Sequence, residues 1–235
     1  MFELEVLNPI AKQRAMENIF NINLRPKTLD NKTIGLVWSG THGGDVALNR
    51  AGEMLQERFS DVKINFYTGG NYPTPPDILN KAAKESDLII GATGDWGTCA
   101  SWMVHDMIEA EKLGVPSIPL ISGRFEGDAI ASSRAFGMPE LKFVIVPRIY
   151  RNLAIDECIS QTEDAIEDIV NVLTEDLDNK TFNIKEIDTD SSFKYQSDDK
   201  FECSLLMNKD LLDRDIGDGF PLLPATRAKV DELIS

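Results

Sequence analysis

One stretch of the chain combines residue types that could carry out chemistry. It runs from position 94 to position 106 and reads Gly-Asp-Trp-Gly-Thr-Cys-Ala-Ser-Trp-Met-Val-His-Asp. Cys99 lies in its middle, where a buried strand is predicted to pass into a helix. With Thr98 as the predicted N-cap, the free N–H groups of residues 97–100 would form an anion cradle and lower the pKa of the Cys99 thiol. We therefore interpret Cys99 as a candidate nucleophile; the alternative is a small buried residue in a tight turn.

His42 is the second candidate catalytic residue. It follows the first predicted strand, and Cys99 follows the third. These strands are neighbours in the expected sheet, so the imidazole could approach the thiol and act as its base. The alternative is a surface histidine in a loop. His105 is expected to pack or to orient the turn, and Asp106 to be a buried hydrogen-bond acceptor.

The other candidate residues would bind a substrate. Within the motif they are Asp95, Trp96, Gly97, Thr98, Ser101, Trp102 and His105, of which Trp96 is expected to form a pocket wall. Tyr72, Arg124 and Arg148 follow other predicted strands and would lie on the same rim. Two converging arginines in an acidic chain indicate a carboxylate or phosphate ligand, although each alone fits an ordinary surface position equally well.

No motif indicates a cofactor or a metal. The chain contains neither a Gly-x-Gly-x-x-Gly sequence nor a P-loop, so a nucleotide cofactor is not expected. Its two histidines have no carboxylate at ligand spacing, so a metal site is not expected either.

Strands alternate with helices from Thr33 onward. Strands are predicted at 33–38, 62–67, 87–92, 116–121 and 141–146, and helices at 45–59, 77–86, after the motif to 113, 128–136 and 156–177. This alternation predicts an α/β fold with a five-stranded parallel sheet and helices on both faces. A flavodoxin-like strand order, 2-1-3-4-5, is favoured over a six-stranded Rossmann order. Ligands of such sheets bind at the carboxyl ends of the strands.

Three segments are expected. Residues 1–32 form an N-terminal arm with one short helix around 11–20, residues 33–177 form the α/β domain, and residues 178–235 form an irregular C-terminal extension. The extension carries a rigid Gly/Pro loop at 217–226, expected to dock at the carboxyl edge of the sheet, and a short helix at 227–234. The arm should pack on the domain or on a second subunit, so we expect a homo-oligomer.

Composition narrows the functional classes. The chain has 235 residues, 42% of them hydrophobic, and a net charge of −15. A surface this acidic is unsuited to nucleic acid or anionic membranes. No apolar run approaches a membrane span of about 20 residues, and the first residues lack a signal-peptide pattern. The three cysteines have neither disulfide-framework nor zinc-cluster spacing, so a reduced, cytoplasmic protein is expected.

Several segments together resemble the UGSC-type (seleno)protein family, named for a selenocysteine-Gly-Ser-Cys motif and distantly related to glycine-reductase-type selenoproteins. The matching pieces are the motif at 94–106 and the segments 7–9, 25–35, 113–116, 137–141, 146–147 and 218–226. The resemblance implies thiol or selenol redox chemistry. However, Trp96 stands where the family has selenocysteine or cysteine, which leaves Cys99 alone. Arg148 replaces a usual histidine, and residues 38–44 replace the usual first loop.

The sequence is compatible with three candidate functions. The first is a cysteine-dependent enzyme, an oxidoreductase or a lyase, that performs thiol-mediated addition, elimination or reduction on a small anionic or electrophilic metabolite. The second is a non-covalent lyase or hydratase. The third is a ligand-binding or scaffold subunit that has lost redox chemistry. Retention of the rest of the motif favours the first function, and Trp96 in place of the redox residue favours the other two.

Overall fold

The computed structural model describes residues 1–9, 19–70, 72–174, 191–214, 216 and 220–235. The chain divides into two compact units. One comprises Arg14–Phe182, and the other comprises Met1–Gln13 with Asn183–Ser235. The larger unit therefore includes part of the predicted N-terminal arm. The helix expected around residues 11–20 falls almost entirely outside the described residues.

The described elements alternate as the sequence predicts. The strands are β1 (Phe2–Leu7), β2 (Thr33–Trp38), β3 (Lys63–Thr68), β4 (Leu88–Gly94), β5 (Ser117–Ser122), β6 (Val144–Val146) and β7 (Ser192–Ser197). The α-helices are α1 (Gly44–Arg58), α2 (Pro76–Glu85), α3 (Gly97–Lys112), α4 (Glu126–Ala135), α5 (Ile155–Asp164), α6 (Ile166–Thr174), α7 (Lys200–Asp213) and α8 (Arg227–Ile234).

The larger unit is a doubly wound parallel α/β fold. Its five strands lie in the order β3-β2-β4-β5-β6 and pair in parallel. Counted within this sheet, the order is 2-1-3-4-5, as predicted. Trp38 pairs with Thr68 on one side and with Ala92 on the other, so β2, β3 and β4 end at the same edge. The loops that follow these strands therefore share one rim.

The sheet carries one apolar core on each face. One contains Leu36, Leu48 and Ile169 with their neighbours from α1, α5 and α6. The other contains Leu79 of α2, Met103 of α3 and the residues around them. Strand β4 is buried along its whole length, which agrees with a central strand covered on both faces.

Two glycines of β4 allow α3 to pack closely on the sheet. A Cβ at Gly91 would lie 2.4 Å from Met103 Sδ. A Cβ at Gly94 would lie 2.4 Å from Ile121 Cδ1 and 3.0 Å from Ala100 Cα. Gly94 therefore lets the first turn of α3 approach the end of β4, and Gly91 leaves space for the Met103 and Met107 side chains.

The predicted closing helix, 156–177, is divided. Helix α5 ends at Asp164 and α6 begins at Ile166, while residues 175–177 lie outside the described part. In the last turn of α5, Thr162 Oγ1 donates a hydrogen bond to Cys158 O at 2.8 Å. Such a bond competes with the backbone ladder and bends helices, which accounts for the break next to Ala165.

The smaller unit is more regular than the sequence indicated. Strands β1 and β7 pair antiparallel from Phe2 opposite Ser197 to Leu7 opposite Ser192, and α7 packs against them. Val6, Tyr195, Met207 and Leu211 form its core. The extension is thus a strand and a helix, because β1 supplies β7 with backbone partners almost 190 residues away. No helix within the described ranges has the length and hydropathy needed to cross a membrane.

The proline-rich loop of the extension lies partly outside the described residues, at 217–219. Within the smaller unit, Leu222 N–H donates to Asn208 Oδ1 at 2.5 Å, and Asn208 Nδ2 donates to Leu222 O at 3.2 Å. The described part of the loop is therefore attached to α7. Docking of this loop at the carboxyl edge of the sheet stays a prediction.

Candidate functional site

A buried carboxylate lies at the carboxyl end of β4. Asp95 is fully buried and directly follows Gly94. Its Oδ1 accepts a hydrogen bond from Ser122 Oγ at 2.6 Å, and its Oδ2 accepts one from the backbone N–H of Arg151 at 2.9 Å. Ser122 ends β5 and Arg151 follows β6, so one carboxylate joins three strand ends. Asp95 was predicted to hold its turn or to bind substrate, and in the structure it holds three loops together.

Hydroxyl groups hold the other side of this rim. Ser39 Oγ donates to Ala92 O at 3.0 Å, and Thr41 Oγ1 lies 2.9 Å from Thr93 Oγ1. Ser39 and Thr41 follow β2, so their hydrogen bonds join that loop to the end of β4. The peptide bond between Ala92 and Thr93 is cis.

Tyr72, a predicted substrate-binding residue, lies in the loop after β3. Its hydroxyl donates to Thr93 O at 2.5 Å. Burial raises the pKa of Tyr72 well above its usual range; the Ser39 hydroxyl lowers it in part, and the charges of Cys99 and Asp95 raise it further. The phenol is therefore neutral at any ordinary pH, and its hydrogen bond to Thr93 O joins the loop after β3 to the end of β4.

Cys99 lies in the first turn of α3, as predicted, but the cap is a different residue. The helix begins at Gly97 after Trp96, whose extended backbone makes it the N-cap, and no side chain caps the helix. Ala100 N–H donates to Trp96 O at 2.7 Å. The prediction that Thr98 is the cap is wrong, because the chain turns helical one residue before it. The N–H groups of residues 97–99 consequently have no acceptor within the helix.

The pKa of Cys99 moves in the direction opposite to the prediction. Burial raises the pKa of the thiol, and the charge of the Asp95 carboxylate raises it further, while the Arg151 guanidinium lowers it in part. The sequence argument considered the positive end of the helix but not the buried carboxylate four residues earlier. Cys99 is therefore a protonated thiol in the resting protein.

The structure does not form the predicted Cys–His pair. His42 is exposed, and within the described part of the chain its ring makes no hydrogen bond or ion pair. It is also not among the groups that shift the pKa of Cys99. The backbone next to it is close to Tyr150, since a Cβ at Gly43 would lie 2.8 Å from Tyr150 O. His42 thus lies on the rim near the loop after β6.

His105 and Asp106 behave as the sequence predicts. The ring of His105 makes edge contacts with Trp102 and Phe136, with centroids 5.4 and 5.1 Å away. Its Nδ1 is 3.5 Å from Asp106 Oδ1. Asp106 is buried and accepts a hydrogen bond from Thr74 N–H at 2.8 Å. His105 packs between aromatic rings, and Asp106 is a structural acceptor that joins α3 to the loop after β3.

A separate open cleft of about 520 Å³ lies between α3 and α4. Its lining residues are Gly97, Thr98, Ser101, Trp102, Asp128, Ala131, Ser132 and Phe136. Ser132 Oγ donates to Ser101 Oγ at 2.9 Å inside it. Four predicted substrate-binding residues line this cleft, but Cys99 does not. Trp96 is half exposed at the start of the helix, with its ring 6.2 Å from that of Phe125.

Convergence of the two predicted arginines stays a prediction. Arg124 is exposed, and Arg148 donates to Glu157 Oε1 at 2.8 Å in an exposed ion pair. Sequence reasoning missed Arg151, which lies beside the buried carboxylate. It also missed the hydroxyls of Ser39, Thr41 and Ser122, although Ser39 and Ser122 could have been found as polar residues at strand ends. Within the described ranges, no cluster of three or more His, Cys, Asp or Glu side chains could hold a metal ion.

Fold and site together define a doubly wound α/β protein whose polar centre lies at the carboxyl edge of its sheet. The chain belongs to the UGSC family, whose model matches residues 5–175. One matching solved structure is that of the activated Roq1 resistosome directly recognizing the pathogen effector XopQ (TIR domains), at 15% identity over 77% of this chain and 99% of that chain. Its TM-score of 0.27 is too low to support an argument. The comparison with curated proteins found no match.

Proposed function

We propose that this chain is a cysteine-dependent enzyme that acts on a small anionic or electrophilic metabolite at the carboxyl edge of the sheet. One observation carries the proposal. Cys158 and Cys203 are each only 1% exposed, whereas Cys99 is solvent-accessible in an uncapped first helical turn. Free N–H groups at this place can stabilise negative charge that develops on a substrate.

The surroundings of Cys99 favour addition or elimination over reduction. A reductive cycle needs a second thiol, and the thiols of Cys158 and Cys203 are buried against backbone carbonyls. Addition to a substrate needs only one thiol. In the proposed step, the Cys99 sulfur forms a bond to the electrophilic carbon of an activated C=C bond, and the thiol proton passes to the adjacent carbon. Elimination is the reverse of this step, so neither direction requires an oxidant or a reductant.

The raised pKa of Cys99 is compatible with this step. A neutral thiol carries the proton that the product needs. The N–H groups of the first turn of α3 are available to stabilise the negative charge that develops on the substrate before this proton is transferred. Burial raises the pKa of the thiol first, the Asp95 carboxylate raises it further and the Arg151 guanidinium lowers it in part, whereas His42, the candidate base of the sequence analysis, is not among the groups that act on it.

A second candidate is a non-covalent lyase or hydratase. The same raised pKa favours it, because a protonated thiol could act as a hydrogen-bond donor without forming a covalent bond. In that reaction Cys99 would position the substrate, and no adduct would accumulate.

Intact-mass spectrometry separates these functions. The full chain is incubated with a panel of small α,β-unsaturated carboxylates, and adducts are located by peptide mapping. We expect one adduct, at Cys99, that is lost in Cys99→Ser and retained in the matched control Cys203→Ser. Turnover of a panel member without an adduct, and with activity retained in Cys99→Ser, would favour the non-covalent reaction. Neither adduct nor turnover would favour a binding or scaffold subunit.

We also propose that the protein is a homo-oligomer and is cytoplasmic. Phe201, Leu205 and Leu212 are exposed on α7, and apolar exposure of this kind supports a homo-oligomer. Three free cysteines support a reducing, cytoplasmic environment. Light scattering coupled to size-exclusion chromatography would measure the oligomeric state. A monomer at micromolar concentration would contradict the proposed homo-oligomer.

A further inference from the structure

Arg151 lies at the buried carboxylate next to Cys99. It belongs to a single 3-10 turn, Tyr150–Asn152, in the loop after β6. Its backbone N–H donates to Asp95 Oδ2 at 2.9 Å. This hydrogen bond holds residue 151 at the polar centre of the site, while its side chain is exposed at the rim. Arg151 is therefore anchored through its backbone beside Asp95, and its side chain is open to solvent.

The guanidinium of Arg151 has no ion-pair partner in the described part of the chain. Of the six other arginines that the structure describes in the larger unit, four have one and the exposed Arg124 and Arg134 do not. Arg25, Arg50, Arg58 and Arg148 each pair with a glutamate at 2.8 Å or less. Arg151 is unpaired in a chain of net charge −15, in which carboxylates are abundant. Its charge nevertheless reaches the site, because it lowers the pKa of Cys99 in part.

We propose that Arg151 binds the carboxylate of a small organic acid whose electrophilic carbon lies against the Cys99 sulfur. This inference rests on the proposed function and names the substrate class of that site. A guanidinium matches a planar carboxylate with two parallel hydrogen bonds. The nearby N–H groups of the first turn of α3 remain available to the reacting end of the same molecule.

The charges around the site favour a carboxylate over a phosphate. The buried Asp95 and Asp106 carboxylates lie close enough to act on Tyr72, so the site already contains negative charge. A singly charged carboxylate is attracted by the guanidinium and is repelled less by these two groups than a ligand of higher charge. A phosphate monoester carries nearly two charges near neutral pH and would be repelled about twice as strongly.

The test compares two alkylating agents that differ in their charge. Iodoacetate and iodoacetamide transfer similar groups to a thiol, but only the first carries a carboxylate. We measure the rates of both at Cys99 by peptide mapping in the full chain, in Arg151→Gln and in Arg134→Gln. Arg134 is the matched control, because it is also exposed and lies in the last turn of α4. The ratio of the two rates cancels any change in the pKa of the thiol.

We expect Arg151→Gln to lower the iodoacetate-to-iodoacetamide ratio about 3- to 10-fold, and Arg134→Gln to leave it unchanged. Acetate should slow the iodoacetamide reaction more than acetamide does, and phosphate should protect less than acetate. An unchanged ratio in Arg151→Gln overturns the role of Arg151 while the proposed function stands. Stronger protection by phosphate overturns the choice of a carboxylate.

A second measurement does not depend on the reactivity of the thiol. If Cys99 is inert to iodoacetamide, the proposed function fails, and a ¹⁵N NMR titration with acetate still tests the carboxylate site. A saturable shift of the Arg151 Nε–H signal, absent with acetamide, supports carboxylate binding at Arg151. No shift overturns it.

Discussion

Ser122 Oγ donates a 2.6 Å hydrogen bond to Asp95 Oδ1 and thereby joins the carboxyl ends of β5 and β4. Both residues are buried, so the bond forms where water does not compete. The carboxylate also holds the loop after β6 through Arg151 N–H and raises the pKa of Cys99. One side chain thus holds the loops in place and adds to burial in raising the pKa of the thiol.

Asp95→Asn should therefore make Cys99 more reactive while making the protein less stable. Removal of the negative charge lowers the pKa of the thiol, so the pH profile of iodoacetamide alkylation should move to lower pH. The amide cannot satisfy both donors, and we expect a loss of about 1–3 kcal/mol in the free energy of unfolding. Asp128→Asn is the control, since this exposed carboxylate lies across the α3–α4 cleft. A profile that stays in place in Asp95→Asn would contradict the assigned cause of the raised pKa.

The buried ion pair of Arg25 and Glu111 should be important for stability. Arg25 Nη1 lies 2.7 Å from Glu111 Oε1, and both side chains are fully buried. Glu111→Gln leaves a buried guanidinium without its countercharge, so we expect a loss of about 3–5 kcal/mol in urea unfolding. Glu109→Gln, which breaks the exposed pair with Lys112 on the same helix, should cost less than about 1 kcal/mol. Equal losses of stability in the two variants would show that burial of the ion pair does not determine its contribution to the free energy of unfolding.

Trp96→Ala should affect ligand binding more than stability. The side chain is 49% exposed, so its removal should cost well under the roughly 3–5 kcal/mol typical of a core tryptophan. Met103→Ala, at a fully buried position of the same helix, should cost about 2–5 kcal/mol. Thermal melts, combined with titration of the adduct-forming carboxylate, would measure both effects. A large stability loss with unaltered affinity would rule out Trp96 as a pocket wall.

Gly94→Ala should displace the start of α3. The new Cβ would meet Ala100 Cα at 3.0 Å and Ile121 Cδ1 at 2.4 Å, so the Ile121 side chain and the helix backbone would have to shift. We expect a loss of about 1–3 kcal/mol in stability and an altered alkylation rate at Cys99. Gly127→Ala, in α4 with nothing within 4 Å of its Cβ, should be neutral or slightly stabilising. An unchanged alkylation rate in Gly94→Ala would contradict the role of this glycine in positioning the thiol.

The local pattern of residues was sufficient to predict the fold of the larger unit. Apolar runs such as the one from Leu88 to Ile90 and the helical stripes between them predicted the parallel sheet, because hydrophobic periodicity reports directly which face is buried. The number of strands, five, favoured the order 2-1-3-4-5. The same pattern placed Cys99 in the first turn of a helix at the carboxyl edge. It also identified Asp106 as a buried acceptor, since that position lies on the inner face of the helix.

Only the tertiary structure decided the electrostatics and the partners of the site. Asp95 became a buried acceptor because Ser122 at the end of β5 and the loop after β6 supply its donors. Burial of the thiol, together with the charge of this carboxylate, raises the pKa of Cys99 instead of lowering it. The loop after β2 leaves His42 exposed, and the loop after β6 brings Arg151 to the rim. The pairing of β1 with β7 joins segments almost 190 residues apart. Burial, charge proximity and strand pairing of this kind depend on distances between residues far apart in sequence, which a local pattern does not contain.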